Sequence, residues 1–313
     1  MSKKKVLVTG ATGYIASLML PEFRDRYELV LTDVSATTRS KSDRSIQTGE
    51  HVPGVIATDL LNFDRTKYAS LFENVEAVVH LGYRRRDDGQ PSPENPRSMD
   101  SYFEEKQNVD MAYNVLRAAY EAGVQRFVCA SSNHASDWYE FNLIHERKLE
   151  VVDPLALPLA DNFYGWAKAA YEHMGFLFAC GAFGRKMEVV MVRIGSPVEV
   201  DMVRFGNDAR ALKRSLGAHI SPRDITQLFI KGIEAPNIEN EHGVPWQVVF
   251  GVSNNTRAFW SLENARQVLG YRPEDDSEVK YAPEAQRLLA ELGEAAGGRL
   301  GGNGDLFPKK DPS

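Results

Sequence analysis

One octapeptide limits what this chain can become. Thr9-Gly10-Ala11-Thr12-Gly13-Tyr14-Ile15-Ala16 follows the apolar run Val6-Leu7-Val8 and precedes residues at helical spacing, Ile15, Leu18, Met19 and Phe23. A strand that enters a helix through so tight a turn needs a flexible corner, which Gly10 supplies. Gly13 lets backbone N–H groups approach a pyrophosphate at the positive end of the helix. Ala16 stands where a small residue lets helix pack on strand. The spacing points to a βαβ unit built around a dinucleotide; the alternative is a glycine-rich turn with no ligand.

The alternation continues along the chain. Leu29-Val30-Leu31, Val55-Ile56-Ala57, Ala77-Val78-Val79-His80-Leu81, Arg126-Phe127-Val128-Cys129-Ala130 and Glu188 to Ile194 read as further strands. One helix carries Val109, Ala112, Val115, Leu116 and Ala119 on one side, and another spans Phe163 to Phe178. Short apolar strands alternating with helices predict an α/β fold, a doubly wound parallel sheet of Rossmann type covered on both faces. We expect a dinucleotide-binding domain over 1–194 and a substrate-binding portion over 195–296 with some elements returning to the sheet; the glycine-rich tail, 297–313, is expected to be disordered. Within the second part, 195–220 reads as irregular, Ile225 to Ile233 as helix, Gln247 to Phe250 as strand and Leu262 to Leu269 as helix. Two long connections, the Pro-rich 84–97 and 133–161, are of a length that usually carries function.

Composition narrows the partners. A net charge of −6 favours neither nucleic acid nor an anionic membrane surface. No apolar run approaches the roughly 18–20 residues needed to span a bilayer, and Lys3, Lys4 and Lys5 are too short a basic run for a targeting signal. Two cysteines, Cys129 and Cys180, suggest neither a disulfide framework nor a metal cluster. A cytoplasmic protein without a metal is expected.

Two further motifs bear on chemistry. Tyr164-Gly165-Trp166-Ala167-Lys168 places a phenol and an ammonium one helical turn apart. A lysine so placed holds a phenol partly ionised at neutral pH, which makes a general base for a hydroxyl group. Asp33, after the second strand, stands where an acidic side chain accepts from both ribose hydroxyls of NAD and repels a 2′-phosphate. Arg39, Lys41 and Arg44 lie further along and soften that preference. Asp59-Leu60 ends the third strand, where it meets the adenine or, equally, where Asp59 caps the next helix.

Taken together, these residues resemble the extended short-chain dehydrogenase/reductases, the NAD-dependent epimerase/dehydratase superfamily, over nearly the whole chain to about residue 275. Ala16 for the usual glycine and Trp166 inside the Tyr-Lys box are departures, and neither removes a reacting group. The resemblance implies that Ser132, Tyr164 and Lys168 are the catalytic set. It implies cofactor contacts from Gly10, Thr12, Gly13, Tyr14, Ile15, Asp33, Asp59, Leu60, Leu81, Gly82, Tyr83, Asn108, Ala130, Ser131, Tyr164, Lys168 and Ile194, with His80-Leu81-Gly82 passing along the nicotinamide ribose. Ala130-Ser131-Ser132-Asn133-His134, Val192-Arg193-Ile194-Gly195-Ser196, Gly251-Val252-Ser253-Asn254-Asn255 and Trp260-Ser261-Leu262 are similar to the uronate dehydrogenase branch, which includes haloarchaeal-type NAD-dependent glucose-6-phosphate dehydrogenases.

That branch implies oxidation of C1 of an acidic cyclic sugar, a hexuronate or a sugar 6-phosphate, to the lactone with NAD and no metal. Arg85, Ser132, Asn133, His134, Tyr164, Ser196 and Arg214 are then the substrate contacts. Each has an ordinary alternative. Ser132 caps a loop, His134 serves as a structural hydrogen bonder, Ser196 turns the chain before Pro197, and Arg84-Arg85-Arg86 forms a solvated loop. Arg210 competes with Arg214 for the anion. The alternative activity is an NAD-retaining nucleotide-sugar epimerase or dehydratase. Family habit implies a homodimer or a larger homo-oligomer, paired through the fourth and fifth helices.

Overall fold

In the computed structural model, which describes residues 3–39, 47–84, 98–200, 209–283, 285, 286 and 290, strand β1 (Lys5–Thr9) runs through the glycine turn into helix α1 (Tyr14–Arg26). β2 (Glu28–Asp33) returns parallel to β1 with Thr32 opposite Thr9. A short antiparallel pair, β3 (Thr37–Arg39) and β4 (Gln47–His51), leads to β5 (Val55–Ala57). No alternating apolar pattern marks that pair. β6 (Ala77–His80), α2 (Ser101–Glu121), β7 (Arg126–Ser132), α3 (Phe163–Ala179) and β8 (Glu188–Ile194) complete the regular alternation. Beyond it lie α4 (Ala209–Ala218), α5 (Pro222–Glu234) and β9 (Trp246–Gly251).

The seven strands stand in the order β5-β2-β1-β6-β7-β8-β9, each parallel to its neighbours. Chain direction along the sheet reverses at β1, between β2 and β6, so the connections leave in opposite directions and open a crevice at the carboxyl ends. Both faces are covered, which is why the strands read as unbroken apolar runs. Val6, Val8 and Val79 pack under α1 and α5, while Leu7, Val78 and Phe127 pack under α2 and α3. Helix starts are set locally: the Asn162 side chain accepts from Gly165 N–H at 2.8 Å, and Ser221 does the same for Asp224 N–H at 3.1 Å ahead of Pro222.

The second part of the chain departs from its reading in two places. Residues 209–218, expected to be irregular, form α4. Leu212 and Leu216 are fully buried beside Val200 and Ala285, and Ala218 is buried in the main core; the basic and glycine positions between them make the segment read as polar. The helix expected over Leu262 to Leu269 winds wider than α from Ala265 to Leu269 and stops at Gly270 in the left-handed region. The connection after Ser132 is itself helical in short pieces, Asn133–Ser136, Asp137–Tyr139 and Glu140–Ile144. The tail, 297–313, lies outside the described residues. Among the described residues no helix is long and apolar enough to cross a membrane.

A buried ion pair joins the sheet to α3. Arg193 on β8 donates through Nε and Nη2 to the two oxygens of Glu172, both at 2.8 Å, and through Nη1 to Ser136 Oγ at 2.8 Å. Both side chains are 1% exposed. Removing one partner strands the other charge without water. Glu172→Ala should lower stability by about 3–5 kcal/mol, read from the denaturant midpoint; a loss below about 1 kcal/mol excludes this role.

Candidate active site

Backbone meets backbone where the sheet reverses. Gly10 has φ +69°, and a Cβ there would lie 2.7 Å from the Gly82 nitrogen and 2.7 Å from the Leu81 carbonyl carbon. No other residue fits without moving β6. The turn is closed by Gly13 N–H donating to Gly10 O at 3.0 Å and by Ala11 N–H donating to Thr32 O at 3.2 Å. Asp33 comes up beside it from β2. Its Oδ2 accepts from Thr12 N–H at 3.1 Å and Thr12 Oγ1 at 2.8 Å, while Oδ1 accepts from Val34 N–H at 2.7 Å. These bonds aim the carboxylate along a groove of about 210 Å³ lined by Gly10, Gly13, Asp33, Asp59, Leu60, Leu81, Gly82 and Tyr83 among others. An acid at the end of β2 and a glycine cradle at a helix N-terminus are the donor and acceptor set that a dinucleotide needs.

Of the expected cofactor residues, Asp59 lines the groove while bonded to its own turn, and Asn108 and Ser131 are engaged by protein partners. Asp59 is exposed and its Oδ1 accepts from Leu61 N–H at 3.0 Å, so it shapes the turn that lines the groove. Asn108 is buried; its Oδ1 accepts from Arg84 N–H at 2.7 Å and its Nδ2 donates to Arg84 O at 3.0 Å. It therefore latches the Leu81–Arg84 segment in place with its own amide. The Ser131 hydroxyl turns to the other face of the sheet and donates to Glu172 Oε1 at 2.7 Å, as the strand pleat requires when Ser132 faces the crevice. Tyr14, at the start of α1, donates from its hydroxyl to Pro197 O at 2.9 Å and ties the turn to the segment after Ile194 and Ser196.

Helix α3 brings the phenol and the ammonium against Tyr83, which lines the groove. Lys168 is buried, donates to Ala130 O at 3.0 Å, and sits 5.6 Å from the Tyr164 ring centre and 5.2 Å from that of Tyr83. The Tyr83 and Tyr164 rings meet edge to face at 5.5 Å, and the Tyr83 hydroxyl donates to buried Glu105 at 2.5 Å. Burial, more than any neighbour, raises the Glu105 carboxyl above its usual range. Gly165 explains the residue after Tyr164: a Cβ there would lie 2.2 Å from the His134 carbonyl oxygen. The helix start is thereby pressed against the loop that follows β7, and the His134 and Tyr164 rings touch at 5.5 Å.

Ser132, Asn133 and His134 turn together at the end of β7. Ser132 Oγ accepts from His134 N–H at 3.2 Å, so the capping role and a place at the site coexist. Oriented to satisfy its neighbours, the Asn133 amide donates to Ile194 O at 3.1 Å and accepts from Arg214 Nη2 at 3.1 Å. His134 Nδ1 meets Asp137 Oδ2 at 2.7 Å, an oxygen that also accepts from Asn162 Nδ2 at 2.9 Å. Burial is the largest influence on His134 and lowers its pKa, but the charge and hydrogen bond of Asp137 outweigh it and leave the imidazole above its usual range. Ser196 is held through its backbone, N–H to Ala218 O at 2.6 Å and O from Ile220 N–H at 2.9 Å.

Arg214 reaches the same place from α4, but with its fork already engaged. Nε donates to Glu140 Oε1 at 2.8 Å and Nη2 to Glu140 Oε2 at 3.4 Å. Glu140 and Asp137 are the site residues that sequence reasoning missed. Two acids three apart after His134 are visible as text, yet the arginine that gives Glu140 its meaning lies 74 residues away. Arg85 lies outside the described residues, as do Lys41, Arg44 and the side chains of Arg39 and Arg210.

Residues 6–195 match the NAD dependent epimerase/dehydratase family. The chain belongs to that family, and NAD is its dinucleotide. It is 32% identical over 280 residues to the NAD-dependent glucose-6-phosphate dehydrogenase of Haloferax volcanii, covering 87% of this chain and 94% of that protein. It is 29% identical over 286 residues to the uronate dehydrogenase of Pseudomonas putida, covering 90% and 88%. Among solved structures, uronate dehydrogenase from Agrobacterium tumefaciens superposes with a TM-score of 0.66 at 24% identity, covering 92% and 90%, a likeness of fold.

The Asp137 pairing carries a direct consequence. Asp137→Asn removes the charge that holds the proton on His134, so the His134 titration, followed by ring-proton NMR, should move to lower pH. An unmoved titration excludes the pairing.

Proposed function

We propose that this chain is an NAD-dependent dehydrogenase that oxidises C1 of a cyclic sugar to the lactone. The observation that carries this reading is the placement of buried Lys168 and half-buried Tyr164 against Tyr83, which lines the dinucleotide groove, with Ser132 bound to the loop whose His134 touches the Tyr164 ring. In this reading the C1 hydroxyl is held by Ser132 and Tyr164, and Tyr164 takes its proton as the C1–H bond breaks. NAD, when bound, accepts the hydride. The turn 10–15, Asp33, the Leu81–Tyr83 segment and Lys168 would hold it. Asn133 and His134 then face the ring hydroxyls, beside Ser196.

The finer reading is an acidic sugar, a hexuronate or a sugar 6-phosphate, the classes named for the two relatives. Arg214 is the cation that such a group would meet; among the described residues its Nη1 has no protein acceptor, which leaves one nitrogen to offer an acidic group or a hydroxyl. Pairing of two chains through the family's fourth and fifth helices, which are the Asn108-bearing α2 and the following α3 of this chain, belongs to the same reading. The aromatic cluster of Tyr102, Phe103, Phe163 and Trp166 on those helices supports it, with Phe103 71% exposed. Sedimentation velocity should give a dimer or larger species, and a monomer at micromolar concentration sinks this part.

Incubation with NAD and glucuronate, galacturonate, glucose 6-phosphate or neutral aldoses should raise absorbance at 340 nm. Tyr164→Phe should lower kcat by about 100-fold or more with the fold intact. An enzyme that retains its NAD through the cycle, as an epimerase does, gives no net absorbance, and that outcome defeats the proposal.

A further inference from the structure

Arg214 meets the pocket as half of an ion pair. Glu140 is 1% exposed and takes the Nε–Nη2 edge of the guanidinium at 2.8 and 3.4 Å, and its Oε1 also lies 3.3 Å from His145 Nε2. Asn133 Oδ1 takes a second Nη2 proton at 3.1 Å. The guanidinium stands 5.9 Å from the Trp260 ring centre, which limits its freedom to turn. A planar carboxylate is gripped by two parallel N–H groups on one edge of the fork. The first edge belongs to Glu140, and the other has given its Nη2 to Asn133. Among the described residues, Nη1 alone is left without a protein acceptor.

Charge leads to the same result. Arg214 and Glu140 cancel, and His134 is matched by Asp137 at 2.7 Å. Burial opposes ionisation of Glu140, but Arg214 and His145 outweigh it and hold the carboxyl at about 2, so the pair persists across any working pH. A substrate carboxylate arriving here would be a second anion on one cation. Drawing Arg214 off Glu140 instead would leave a buried carboxylate with His145 as its remaining partner, a costly exchange.

Resting on the C1-dehydrogenase reading above, we infer that Glu140 is a specificity-determining residue that converts Arg214 from a carboxylate grip into a hydroxyl donor through Nη1 alone, so that the pocket takes neutral aldopyranoses as readily as hexuronates. An acidic group is then tolerated and not selected. A neutral sugar satisfies Nη1 with a ring or C6 hydroxyl and brings no charge to desolvate.

The test compares kcat/KM for two matched pairs, glucuronate with glucose and galacturonate with galactose. For the unaltered enzyme the acid-to-neutral ratio should lie within about tenfold of one, a difference of about 1.4 kcal/mol in transition-state binding. Glu140→Gln keeps the shape of the side chain, removes its charge and leaves the Arg214 cation uncancelled, so the ratio should rise by about tenfold or more. Arg214→Gln should depress both members of each pair alike, since it removes a hydroxyl donor. A ratio above about tenfold in the unaltered enzyme overturns the inference whether or not either variant folds, as does an unchanged ratio in a folded Glu140→Gln. No NADH from any sugar defeats the parent reading and this one with it, whereas NADH with a steep acid preference defeats this one alone.

Discussion

The hydrogen bond from Lys168 to the carbonyl of Ala130 joins the two elements on which the site depends. Helix α3 supplies Tyr164 and strand β7 supplies Ser132; neither position means anything until the helix is fixed over the strand end. The lysine does this while keeping its ammonium between the rings of Tyr83, Tyr164 and Tyr171. One turn further along the same helix face, Glu172 repeats the arrangement, binding Ser131 of β7 and Arg193 of β8. Tyr164, Lys168 and Glu172 thus form one polar stripe at four-residue intervals on an otherwise apolar inner face. Burying such a stripe is unfavourable unless each group meets its partner, so few arrangements of helix on sheet are tolerated.

Glycine permits the close approaches that this registration needs. At Gly10 the first turn lies against the Leu81-Gly82 backbone, and at Gly165 the helix start lies against the His134 carbonyl. The first contact sets the floor of the dinucleotide groove. The second brings the loop after β7 within ring contact of Tyr164. A methyl group at either place would separate the parts that the chemistry requires together.

The pocket beyond Tyr164 has a different character from the groove. It is built on ion pairs, Asp137 with His134 and Glu140 with Arg214, whose acids both come from the short helical pieces after Ser132. Each acid sits beside one cation, so the cluster carries little net charge.

Local pattern and spacing were enough for the α/β alternation, the parallel sheet, the glycine turn, Asp33 and the Tyr-Lys pair, because each depends on residues close in the chain or on burial of whole strands. The β3–β4 pair and helix α4 escaped, since a polar hairpin and a ten-residue helix with Arg210, Lys213 and Arg214 among few large apolar residues read as loop. The direction of Ser131, the latch formed by Asn108 and above all the capture of Arg214 by Glu140 were decided by tertiary structure alone. Those partners are separated by 41, 24 and 74 residues, and a charge says nothing of what it will face until folding has chosen its neighbour.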